Sequence, residues 1–111
     1  MSKFEVLNVS LALITELKPL VAKISSHDRS LADQIRRSAS SVPLNISEAA
    51  RRVGRDRVHA FRIAAGSASE TQTALTIAQN WGYIGHEDFQ KAHILTDRIL
   101  AMLWRLTSSR D

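Results

Sequence analysis

The chain has no cysteine, only two prolines and only four glycines in 111 residues. Without cysteine there is no disulfide scaffold, no thiolate zinc site, no iron–sulfur cluster and no cysteine nucleophile. No stretch reaches the roughly 18 consecutive apolar residues that a membrane span needs. The N-terminal apolar run is broken by Asn8 and Ser10 and carries Glu5 beside Lys3, a poor secretory signal. The expected address is therefore the cytoplasm, where Asn8-Val9-Ser10 and Asn45-Ile46-Ser47 have no meaning as glycosylation acceptors. Disorder is excluded by composition: 44% of residues are hydrophobic and 23% charged, with a net charge of only +4. One domain spanning 1–111 is expected.

Charge is unevenly placed. Segment 29–62 holds eight arginines (29, 36, 37, 51, 52, 55, 57 and 62), no lysine, and only Asp33, Glu48 and Asp56 against them, a local excess of five. The remaining residues are close to neutral. Guanidinium groups suit bidentate contact with phosphate, so this third of the chain reads either as a polyanion-binding face or as a solvated helix surface with internal ion pairs.

The apolar spacing predicts four helices and no strand. In the first, about 4–25, one row comprises Phe4, Leu7, Leu11, Ile14, Leu17, Val21 and Ile24, and a second Val6, Val9, Leu13, Leu17, Leu20 and Ile24. Together they are wider than one neighbouring helix covers. Pro19 predicts a bend near Ile14–Leu17. Ser30, with Asp33 three residues on, reads as the N-cap of the second helix. That helix carries Leu31, Ile35, Ala39, Val42, Ile46, Ala49 and Val53 in phase through Pro43, so it reads as one kinked helix ending at Gly54. The third, about Asp56–Trp81, carries Val58, Phe61, Ala65, Ala68, Leu75 and Ala78 on one side and has an unusually small middle, Ala60 and Ala64 to Ser69, suited to close packing. Gly82 to His86 makes the last turn. The fourth, about Glu87–Thr107, again shows two rows: Phe89, Ala92, Leu95, Ile99, Met102 and Leu106, then Ile94, Leu100 and Trp104. The fold class is all-α, an antiparallel up-down four-helix bundle with a kinked second helix. The excess apolar width of the first and fourth helices calls for a homo-oligomer.

Chemistry is sparse. No Glu-x-x-His pair, no two histidines at i, i+4, and no phosphate-binding or nucleophile-elbow glycine motif is present. No metal or cofactor is expected, and the expected answer to enzyme is no. Arg52 and His59 match the loose Arg…His spacing of some small helical-bundle ribonucleases, but about one such match arises by chance in a chain of this composition. Glu48 and Glu70 fall near the apolar phase, so a polar network with Gln34, Arg36, Arg37 and Asn45 is expected around them. Arg51, Arg52, Arg55 and Arg57 are the expected nucleic-acid contacts, because they cluster at a helix end where side chains can fan toward phosphates.

Gln34-Ile35-Arg36-Arg37-Ser38-Ala39-Ser40-Ser41-Val42-Pro43-Leu44-Asn45-Ile46-Ser47-Glu48-Ala49 resembles the central signature of the four-helix-bundle proteins encoded in 23S rRNA intervening sequences. Ala64-Ala65-Gly66-Ser67-Ala68-Ser69-Glu70, followed by the Trp-Gly-Tyr-Ile ending at Ile84, resembles that family's third helix and turn. Ala49 departs from it, standing where the family often has glycine. The resemblance implies a ring-like homopentamer and a kinship with the accessory variability determinants of diversity-generating retroelements, basic proteins that bind nucleic acid and a reverse transcriptase. It also carries over Arg36, Arg37, Asn45, Glu48 and Glu70 as a polar signature with a structural role. Two partner classes remain open at this point besides the chain itself: RNA or DNA, and a protein.

Overall fold

Apolar side chains recur every three or four positions through four segments, and each segment is helical. The computed structural model describes residues 3–108. Helix α1 spans Lys3–Ser25, α2 Arg29–Ala50, α3 Gly54–Asn80 and α4 His86–Ser108. Consecutive helices are antiparallel and pack side by side, and α4 returns to α1 to close the bundle. The result is a rod with extents of 45 × 21 × 19 Å.

Of the two apolar rows on α1, the second forms the core. Val6, Leu13, Leu17, Leu20 and Ile24 are buried, whereas Phe4 and Leu11 of the first row are 68% and 49% exposed. The helix runs unbroken through Pro19, which lies on its exposed side. Opposite, Ile35, Ala39, Val42, Ile46 and Ala49 of α2 complete the core, and α2 likewise continues through Pro43 as one helix. On α4 the first row is the inner one, with Ala92, Ile99 and Met102 buried, while Ile94 and Trp104 of the second row remain exposed.

The helix ends correct three expectations. The N-cap of α2 is Asp28, not Ser30: its backbone is extended and its carboxylate accepts the Leu31 N–H at 3.0 Å. Asp33, expected to close a capping box with Ser30, instead accepts from Arg36. Helix α2 also stops three residues early. The Arg51 and Arg52 N–H groups bond back three residues to the Glu48 and Ala49 carbonyls, tightening the last turn. Val53 then extends into solvent, 77% exposed, rather than joining the core row. Gly54 opens α3 with φ of 59°, a left-handed value that strains any residue with a Cβ. Gly82 serves the turn before α4 in the same way, with φ of 82°.

The α2–α3 seam is the most extensive helix contact. Small residues of α3 face it, and hydroxyls bridge it. Ser38 and Thr71, both buried, lie 2.7 Å apart, and Ser67 donates to Ser41 at 2.8 Å. Across the α3–α4 seam, the Gln72 amide donates to Thr96 and to Asp97, each at 2.8 Å. Gly66 takes no part in close packing: it is exposed, and an added Cβ would meet nothing within 4 Å.

Candidate nucleic-acid interface

Antiparallel packing brings the end of α2, the start of α3, the start of α1 and the end of α4 to one end of the rod. The arginine cluster lies there. The short connection leaves Arg51, Arg52 and Arg55 exposed, with Arg57 half-buried. Each side chain has a different freedom. Arg52 is committed to its own helix: its guanidinium pairs with Glu48 one turn back, at 2.6 Å. Arg57 donates through Nε to the Arg52 carbonyl at 2.9 Å, which fastens the start of α3 to the junction. Among the described residues, Arg51 and Arg55 make no side-chain ion pair or hydrogen bond. Charge with no internal partner is the physical prerequisite for recruiting an external polyanion. The two uncommitted arginines are thus the strongest of the four expected contacts, and the other two shape the junction.

Of the polar network expected around Glu48 and Glu70, one link is present, from Gln34 to Glu70. Both carboxylates are exposed, on the outer side of their helices, and each takes a separate partner. Glu48 holds Arg52, and Glu70 accepts from the Gln34 amide of α2 at 3.1 Å. Asn45 donates to the backbone carbonyl and hydroxyl of Ser41 at 2.8 and 2.9 Å. Arg36 pairs with Asp33, and Arg37 is exposed and makes no side-chain hydrogen bond or ion pair among the described residues. The adjacent Arg36 guanidinium, by its hydrogen bond, holds the Asp33 carboxyl below its ordinary value. The buried and half-buried polar contacts of the α2–α3 seam are instead made by serine and threonine hydroxyls. Their signal was available in the sequence as Ser38, Ser41, Ser67 and Thr71, placed in phase with the apolar rows of their helices.

No hydrogen bond joins Arg52 to His59, which is exposed on the first turns of α3. His86 pairs with Gln79 at 3.1 Å, and His93 lies 3.2 Å from Asp97 while stacking on Phe89. Among the described residues no three His, Asp or Glu side chains gather as a metal cluster, and no helix is long and apolar enough to cross a membrane.

A second surface feature lies between α1 and α2. A groove of about 490 Å³ is lined by Ile14, Leu17, Val21, Ile35 and Ala39, with Lys18 and Arg36 also on its wall. Leu7 and Leu11 continue the same apolar row along α1 toward Phe4.

Fold and surface together define a four-helix bundle with a basic end and an apolar side groove. The model of the 23S rRNA-intervening sequence protein family matches residues 2–105, and the chain belongs to that family. Among solved structures it is similar to a protein with unknown function from the S23 ribosomal protein family of Bacteroides thetaiotaomicron. The two share 24% identity with a TM-score of 0.86, over 94% of this chain and 99% of the other. That likeness concerns the fold. A comparison with curated proteins finds no match.

Proposed function

We propose that this chain is a non-enzymatic, cytoplasmic homo-oligomer, a pentamer, that binds nucleic acid or a nucleoprotein partner through the α2–α3 junction. The observation that carries the reading is the pair of exposed arginines, Arg51 and Arg55, which form no ion pair among the described residues. Arg52 and Arg57 flank them and add to the local potential. One such cluster is a weak ligand for phosphate. Repeated around a symmetric assembly, the same cluster gains by multivalency without any new contact.

Assembly is supported by apolar surface that a single chain leaves in water. Phe4, Leu11, Leu44 and Ile94 are each at least 49% exposed, and the α1–α2 groove adds a recess that side chains of another copy can fill. The family resemblance supplies the number five.

The test is retention of RNA and DNA on a salt gradient, with the mass of the protein in solution measured alongside. Binding should weaken steeply with salt, log K falling by about 0.9 per phosphate neutralised on a duplex. No retention at low salt refutes nucleic-acid binding, and a monomer at micromolar concentration refutes assembly.

The apolar groove favours a second reading, a protein-interaction module in which the arginines pair with carboxylates of a neighbouring subunit. Changing Arg51 and Arg52 to Ser separates the two. Under the first reading the double variant keeps its mass and loses polyanion binding, and under the second its assembly changes. A ribonuclease reading requires RNA cleavage that disappears in His59→Ala.

A further inference from the structure

The arginine-rich end also carries an exposed indole. The α3–α4 register is fixed by Gln72, which donates to Asp97, and by Gln79, which meets His86. Trp104 lies seven residues, or two helical turns, beyond Asp97 on the same strip of α4. Two turns back from Gln72 on α3 is Ala65. Trp104 therefore stands level with Ala65, whose methyl group is too small to cover the ring, and Trp104 is 69% exposed. Arg62 precedes Ala65 by one turn, Arg55 lies two turns before Arg62, and Arg105 adjoins Trp104. All three arginines are exposed and, among the described residues, make no side-chain ion pair or hydrogen bond.

Acidic groups near this strip are few. Asp56 adjoins Arg55, Glu5 of α1 faces Arg98, two turns before Arg105, and Asp97, two turns from Trp104, already receives the Gln72 amide and faces His93. No carboxylate stands three or four positions from Arg55, Arg62 or Arg105 in the sequence. An open aromatic face flanked by unneutralised guanidinium groups matches a strand whose bases are free to stack and whose phosphates run alongside. A duplex keeps its bases stacked inside and offers this ring no face, so the indole adds nothing to duplex binding.

We infer that Trp104, with Arg55, Arg62 and Arg105, forms a stacking platform for single-stranded nucleic acid, bound by an unpaired base on the indole. This rests on the proposed polyanion-binding role and names its substrate class.

The two tryptophans make the test internal. Trp81 is 71% exposed but lies at the opposite end of the rod, after α3 and before α4. In W81F only Trp104 reports, and in W104F only Trp81. Titration with a 20-nucleotide oligouridylate, an oligothymidylate, and a duplex of equal length at low salt should quench W81F with the single strands and leave W104F unquenched. The two single-stranded arms show whether an RNA or a DNA strand is preferred. Trp104→Ala should weaken single-strand binding at least about fivefold, the lower range for one base–aromatic stack, with duplex binding unchanged. Arg62→Ser should retain the indole and lower the salt slope on single strands by about 0.7. Quenching of both tryptophans alike, quenching of W81F by duplex as strongly as by single strand, or unweakened single-strand binding by Trp104→Ala each overturns the platform while the polyanion-binding reading stands. A change in assembly mass in Trp104→Ala places the indole at a subunit contact and likewise overturns it. Absence of all binding at low salt overturns both.

Discussion

The buried hydroxyl pair of the α2–α3 seam allows a quantitative test of what holds this bundle in register. Thr71 is fully buried and Ser38 nearly so, with their oxygens 2.7 Å apart. Proton accounting orients the pair. Thr71 has one hydroxyl proton and donates it to the Ser67 carbonyl at 2.8 Å, so Ser38 must donate to Thr71. Thr71→Val, which keeps the shape, strips Ser38 of its acceptor and leaves it only the poorer contact to the Ile35 carbonyl at 3.3 Å. A buried donor deprived of its partner costs about 1–3 kcal/mol, and the weak fallback places this variant near 1–2 kcal/mol. Ser38→Ala removes the donor and leaves Thr71 still satisfied through Ser67, a loss of about 1 kcal/mol. In the double variant no polar group is stranded. Its destabilisation should fall short of the summed single effects by about 1 kcal/mol, the signature of direct coupling. Urea unfolding at one fixed protomer concentration measures all four proteins, since assembly would make stability depend on concentration. Strict additivity would refute the pairing across the seam.

Two glycines differ in sign. Gly54→Ala should destabilise by about 1–2 kcal/mol in thermal or urea unfolding, because φ of 59° is left-handed and no steric clash adds to it. Gly66→Ala, in an exposed mid-helix position with open space for a methyl group, should stabilise by up to about 1 kcal/mol. Asp33 supplies a pH dependence. Its carboxyl is held below the ordinary value of 3.8, so the Arg36 pair stabilises the fold fully above that value, and the contribution is lost as pH falls through the lowered one. An NMR titration of Asp33 should show its midpoint returning upward in Arg36→Ala.

Most of the architecture could be read from the sequence because helix-period apolar rows report burial directly. The α2 row did so from Ile35 to Ala49, and on α3 Phe61, Ala68, Leu75 and Ala78 are buried while Val58 and Ala65 of the same row are half-buried. What spacing could not decide was which of two competing rows on α1 faces inward. Phe4 and Leu11 are as apolar as Val6 and Leu13, and only the positions of α2 and α4 choose between them. Helix ends were also obscure. Ser30 and Asp28 are both good N-caps by residue type, and backbone geometry selected Asp28. Gly54 fits a helix end and a helix start equally well by composition, and its position after the extended Val53 puts it at the start. The carboxylates were misplaced for a related reason: Glu48 and Glu70 lie close in sequence to core residues, yet a single 100° step carries a side chain from the inner face to the rim. The arginine cluster was visible in the sequence, but which guanidinium groups are already occupied was not. That distinction depends on Glu48 lying one turn before Arg52 and on the Arg52 carbonyl facing Arg57.

The apolar groove and the arginine-rich tip occupy separate parts of the rod, and this separation bears on how assembly and binding coexist. The α1–α2 groove, with Ile14 and Leu17 on one wall and Ile35 and Ala39 on the other, begins away from the basic end and approaches it only through Leu11, Leu7 and Phe4. Arg51 and Arg55 lie at the tip, and Arg62 with Trp104 lies on the α3–α4 flank. Under the proposed reading, a copy seated in the groove therefore buries apolar surface without neutralising those guanidinium groups. Substituting Leu11 with Lys charges the row beside the groove and leaves every one of those arginines in place. It should lower the mass in solution while each protomer keeps its intrinsic, weaker affinity for a short oligonucleotide. If mass falls and a 20-nucleotide strand still binds as tightly as before, multivalency contributes nothing, and a single basic tip accounts for the whole affinity.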